Sequence, residues 1–179
     1  MPVPDFSPGE VLTAAAMDSI GLWLVKSQAV GTGVTSVTVS DAFSSTYDSY
    51  KIIYTGYTGN LNEPLKMRLG STATGYFGNF LAFESSGTAT TSVNDNNQTF
   101  FRYIGGSSSS GSATDIDVYN PFLALRTTIR SHNVAYSTFV NATYGGYVND
   151  STSYTAFTLF GFSTGTVTGG TIRVYGYRK

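Results

Sequence analysis

Cysteine is absent from this chain, which removes disulfide frameworks, thiolate-ligated zinc, iron–sulfur clusters and cysteine nucleophiles together. Charge is scarce. Ten Lys and Arg face eleven Asp and Glu, 12% of all residues and a net charge of −1, where about 25% charged residues is usual. No cluster of Lys or Arg stands ready to neutralise phosphates, so binding to a nucleic-acid backbone is not expected. A single histidine rules out a multi-histidine metal site. Long apolar runs are missing too: the longest near the start, 20–25, is far too short to cross a bilayer. No basic segment followed by an apolar one reads as a signal peptide. Neither membrane insertion nor Sec-dependent export is expected.

Hydroxyls, glycines and aromatics fill the gap. The chain has 22 Ser and 25 Thr, with 20 Gly, 13 Tyr and 12 Phe. Thr, Tyr, Phe and Val favour strands, and the residues that build long helices are not abundant, so an all-β protein is expected. At 179 residues the chain fits one domain. A chain of that size buries roughly 70% of its unfolded surface, enough for a core without a metal or disulfide staple.

Three prolines within the first ten residues predict an extended N-terminal arm. The stretch TAAAMDSIGLWL then predicts a short helix capped by Thr13, with Ala16, Met17, Ile20, Trp23 and Leu24 on one apolar face. From Gly31 the pattern changes to period two. Strands are expected at 34–39, 50–57, 65–69, 77–84, 98–104, 113–119, 125–131, 134–143, 154–162 and 170–177. Turn clusters are expected between them, including TGNLNEP, GSTATG, SVNDNN at 92–97, GGSSSSGS and STGTVTGG. About ten short strands at regular spacing describe a β-sandwich of jelly-roll character. The division expected is an arm and short helix at 1–27 and a sandwich at 28–179.

The opening FSPGEVLTAAAMDSIGLWLVKSQ resembles an N-terminal pattern of tailed-bacteriophage tail-fibre and minor virion proteins. The stretches SQAVGTGVTSVTVSDAFSSTYDSYKIIYTG, LGSTATGYFGNF and TGTVTGGTIRVYGYRK resemble structural proteins of marine and actinobacterial phages. The resemblance implies a non-enzymatic module on the virion surface, made in the host cytoplasm, usually homotrimeric and needing no cofactor. Its partners would be other virion proteins and a host cell-surface glycan or protein. The family carries no consensus binding residues. The chain lacks a long fibrous shaft, so a tail-fibre or receptor-binding module and a capsid-decoration or head-fibre protein both stay open.

Two groups of residues are candidates for contact. Met17, Ile20, Trp23 and Leu24 form the apolar face expected to fasten the arm to the virion or to sister subunits. Tyr76, Phe77, Tyr144 and Tyr147 sit in Gly-rich stretches and are expected in exposed loops, where aromatic rings beside Asn and Gly suit recognition of sugars or proteins. No catalytic constellation emerges. His132 lacks a nucleophile elbow elsewhere in the chain, and Asp115 and Asp117 read as one wet face of a strand.

Overall fold

The computed structural model describes residues 21–87, 90–133 and 139–177. They form thirteen strands: β1 (Leu22–Ala29), β2 (Ser36–Val39), β3 (Ser49–Gly59), β4 (Glu63–Leu69), β5 (Tyr76–Glu84), β6 (Thr90–Gln98), β7 (Phe101–Ser107), β8 (Ser112–Tyr119), β9 (Thr128–Asn133), β10 (Phe139–Val148), β11 (Phe157–Gly161), β12 (Val167–Thr168) and β13 (Thr171–Tyr177). No α-helix occurs among the described residues.

Period-two patterning decides which side chains go inside. Along β3, Tyr50, Ile52 and Tyr54 are buried while Lys51, Ile53 and Thr55 are half-buried on the other face. In β4, Leu65, Met67 and Leu69 point into the core, as the sequence predicts. The result is an antiparallel β-sandwich of two sheets, ordered β1-β13-β3-β8-β9-β10-β5-β6 and β2-β11-β4-β7, with β12 added beside β3. Setting aside β5, β6, β9, β10 and β12 leaves eight strands in two four-stranded sheets. Their pairs β1–β13, β2–β11, β3–β8 and β4–β7 mate first with last and inward to the middle, so one long antiparallel ribbon is wrapped round the core. The hairpin β5–β6 and the pair β9–β10 widen only the larger sheet.

Aromatic rings carry much of the interior. Tyr54 and Tyr57 stack with ring centroids 3.8 Å apart, and the Tyr57 hydroxyl donates to the Gly106 carbonyl at 2.7 Å. Phe43, Tyr50 and Phe157 close one end, and Tyr76, Phe101 and Tyr144 fill the part under β5 and β10. Six tyrosines, Tyr50, Tyr54, Tyr57, Tyr76, Tyr144 and Tyr154, are buried among the described residues. Each of these six phenols is buried together with a partner for its oxygen, the condition for burying a polar tip at low cost.

Several expectations are corrected. Of the helix expected over 13–24, the part through residue 20 lies outside the described residues, and Leu22–Leu24 belong to β1, paired with Leu22↔Tyr177 and Leu24↔Tyr175. The expected boundary at 27/28 falls within this strand. SVNDNN is no turn but the body of β6, an edge strand whose polar side chains discourage further pairing.

Candidate functional site

The outer face of the larger sheet gathers exposed chemistry by register. One cross-strand row runs Leu24, Tyr175, Lys51, Asp117, Arg130, Gly145, Asn79, Asn94, each residue paired with the next. At the usual strand spacing this row is about 33 Å long. It begins apolar, becomes charged at its centre and ends in bare backbone and amides.

At the centre, Lys51 Nζ lies 2.5 Å from Asp115 and 3.3 Å from Asp117, and Arg130 Nη2 lies 3.3 Å from Asp117. The Tyr177 hydroxyl donates to Asp117 at 3.0 Å. Burial works against the Asp117 anion, but the Tyr177 hydrogen bond, the Lys51 charge and Arg130 outweigh it, holding the carboxyl below its ordinary value. Burial likewise works against the Lys51 ammonium, and Asp115 followed by Asp117 reverses the balance. Lys51, Asp115, Asp117 and Arg130, with Thr55, His132 and Asn141, border an open basin of about 600 Å³. A carboxylate held ionised by three donors is a poor proton donor, so Asp117 is not suited to protonating a leaving group. Among the described residues no cluster of three metal-ligating side chains occurs.

Further along the same face a shallow groove of about 490 Å³ is lined by Phe77, Gly78, Asn79, Asn94, Asp95, Gly145, Gly146 and Tyr147. Phe77 and Tyr147 are cross-strand partners on β5 and β10, stacked at 5.2 Å with their planes 14° apart. The Arg126 guanidinium covers Tyr147 at 4.4 Å and donates to Asn149 Oδ1 at 2.8 Å. Asn79 Nδ2 donates to Asn94 Oδ1 at 2.5 Å. Gly145 has open space where a Cβ would stand, so the floor between Arg130 and Asn79 is bare backbone.

Beneath the floor a buried polar group props the sheet. Asp95 is enclosed, with Arg102 Nε and Nη2 each 2.5 Å from its Oδ1 and the Tyr144 hydroxyl donating to Oδ2 at 2.8 Å. Burial first, and then the Asp95 charge, push the Tyr144 phenol upward.

The predicted contact residues separate accordingly. Phe77 and Tyr147 are half-buried on the outer face and border the groove. Tyr76 and Tyr144 are not in loops and not exposed: both are strand residues with no exposed surface. Tyr76 donates to Thr72 O and accepts from Leu69 N, each at 3.0 Å. Of the apolar quartet, Met17 and Ile20 lie outside the described residues. Trp23 and Leu24 cannot share a face, because neighbours on a strand point to opposite sides. Trp23 turns inward, its indole N–H buried without an acceptor among the described residues, and Leu24 stands 55% exposed beside Leu22 and Tyr177. Asn79, Asn94, Gly145 and Arg126 were missed. The strand expected at 77–84 contained the signal, since period two already places Phe77 and Asn79 on one face.

No protein-family model and no curated protein matches the chain. Two solved structures are similar at a distance. One, of the Gt strain of infectious bursal disease virus, is 10% identical with a TM-score of 0.20, covering all of this chain and 43% of that one. The other, of the VP2 subviral particle of infectious bursal disease virus, is 9% identical with a TM-score of 0.12, covering 88% of this chain and 38% of that one. This chain thus spans less than half the length of either, and likenesses this distant carry no weight for fold or function.

Proposed function

We propose that this chain is a non-enzymatic surface module of a phage virion, of the tail-fibre or receptor-binding type, and that its sandwich is a jelly roll. The ribbon of pairs β1–β13, β2–β11, β3–β8 and β4–β7 supports the jelly-roll reading, an architecture that viral capsid and lectin domains use. A fold does not name a function, so the weight rests on the site. The carrying observation is the groove bounded by the stacked Phe77–Tyr147 pair: a recognition surface held on paired strands, with a bare floor and neutral amides. Such surfaces offer rigid contact area with hydrogen-bonding tips. The clamped Asp117 supports a binding role over a hydrolytic one. The sequence resemblance to phage structural proteins supplies the setting.

In this reading the N-terminal arm fastens the module to its virion partners and a homotrimer presents the groove to the host cell surface. Leu22 and Leu24, exposed beside Tyr177 where the arm enters the sheet, extend the attachment surface predicted for Met17 and Ile20. Gold-conjugated antibody against residues 28–179, applied to intact particles, tests the location. Label at the tail or its tip is the expected result. Label around the head would replace this reading with a capsid-decoration or head-fibre protein.

A further inference from the structure

Resting on the reading of this face as a binding surface, we infer that the groove over β5 and β10 takes a saccharide bearing a carboxylate, with Arg126 meeting the acid. The amide pair sets the first requirement. Asn79 Nδ2 gives one of its two hydrogens to Asn94 Oδ1, which leaves Asn79 Oδ1 as an acceptor and Asn94 Nδ2 as a donor beside each other. An adjacent acceptor and donor match two neighbouring hydroxyls of a sugar ring. Gly145 sets the second. With no side chain and nothing within 4 Å of a Cβ position, it admits a flat ring onto the strand backbone between Asn79 and Arg130. Phe77 and Tyr147 wall the groove with aromatic carbon, the natural neighbour of the apolar C–H face of a pyranose.

Arg126, which is not part of the groove lining but stands over Tyr147 at its border, selects for charge. Its guanidinium is exposed and fixed over Tyr147; among the described residues it is bonded only to the neutral Asn149 amide, and no carboxylate pairs with it. A planar guanidinium recognises a carboxylate by two parallel hydrogen bonds. Arg130, by contrast, is engaged by Asp117 and adds little attraction for an acid. A single guanidinium at the groove is far too little for a nucleic-acid backbone.

The test is calorimetric titration of the full-length protein with oligogalacturonate and sialyllactose, against methyl-esterified oligogalacturonate and lactose as matched neutral probes. The acids should bind more tightly than their neutral counterparts by about tenfold or more, the scale of a hydrogen bond to a charged group. Arg126→Gln should erase that preference, leaving residual binding equal for both. Gly145→Val should weaken every probe by a similar factor, and Gly145→Ala serves as the milder variant, both checked for an unchanged melting temperature. Equal binding of acid and ester, no binding of any probe, or full binding by both Gly145 variants would each overturn the inference. Tail-located gold with no saccharide binding would sink this inference alone. Head-located gold with the acid preference intact would sink the receptor-binding reading and leave the site standing.

Discussion

Gly78 and Tyr144 are fitted to one another: a Cβ on Gly78 would overlap the Tyr144 hydroxyl, the group that reaches past it to Asp95. Gly78 is also paired directly with Asp95 across β5 and β6. The absence of a side chain at one position is thus what allows a buried hydrogen bond at another.

Replacing Gly78 with Ala should therefore destabilise the fold by about 2–4 kcal/mol, from overpacking plus the displaced hydroxyl. Tyr144→Phe keeps the ring but leaves Asp95 Oδ2 short of a donor, and should cost about 1–3 kcal/mol. In the double variant the two losses should not add, because both act through the same bond. Denaturant unfolding of the four proteins measures this; simple additivity would contradict the coupling.

The Asp95–Arg102 pair makes a sharper test. Arg102→Met leaves an enclosed carboxylate without its cation and should cost about 3–5 kcal/mol, far more than removing an exposed pair. Replacing Lys26, which approaches the exposed Asp41 at 4.0 Å, should change stability by less than about 0.5 kcal/mol. Equal effects would mean that Asp95 is not enclosed as described.

Alkaline titration should reveal the tyrosine core. Burial raises the phenols of Tyr54, Tyr57, Tyr76, Tyr144 and Tyr154 above their ordinary value of 10, Tyr76 to about 12. A raised value means that the folded state keeps the proton that the unfolded chain gives up. The stability they contribute is whole below pH 10 and falls as pH rises through the folded values. Absorbance at 295 nm should show these five ionising late, in step with loss of near-ultraviolet circular dichroism. Smooth ionisation of all thirteen tyrosines near the ordinary value would refute the burial.

Asp117 has the opposite sign. Its carboxyl is held below the ordinary 3.8, so its contribution is present above that value and disappears as pH falls through the lower folded one. The stability gap between the native protein and Asp117→Asn should be constant at neutral pH and close under acid. A gap unchanged by acid would remove the clamp by Lys51, Arg130 and Tyr177.

Where one face of a strand is plainly apolar, the fold is legible in the sequence. Leu65, Met67 and Leu69 alternate with Lys66 and Arg68, and Ile116 and Val118 with Asp115 and Asp117; β4 and β8 follow. Legibility fails where composition misleads. Apolar residues crowd 16–25 so densely that helical and strand periods both fit, and from Leu22 onward pairing of β1 with β13 at the sheet edge decides for the strand. In β6 the run Asn94, Asp95, Asn96 and Asn97 reads as a turn, yet Asp95 is paired under Gly78 and bonded to Arg102 and Tyr144, partners 7 and 49 residues away. Glycine misleads in the same way at Tyr76 and Tyr144. Gly78 and Gly146 there mark close approach inside a sheet, whereas the adjacent Gly145 marks open surface. Single-sequence patterning cannot separate those two uses of glycine, since the difference lies in what sits across the strand.

That distinction divides the four aromatics into two pairs that behave differently. Tyr76→Ala removes a fully buried ring that packs edge-on against Phe101 at 4.8 Å and should cost about 3–5 kcal/mol, so lost host adsorption would follow from lost fold. Tyr147→Ala and Phe77→Ala act on half-buried rings of the outer face and should cost about 1–2 kcal/mol, roughly one aromatic pair and partial burial. Particles carrying either should remain intact yet adsorb poorly. Tyr76→Phe is the discriminating control: it keeps the ring, forfeits the bonds to Thr72 and Leu69, and should lower the melting temperature while leaving adsorption at permissive temperature unchanged. If Tyr76→Phe abolished adsorption and Phe77→Ala spared it, contact would have to lie somewhere other than the groove.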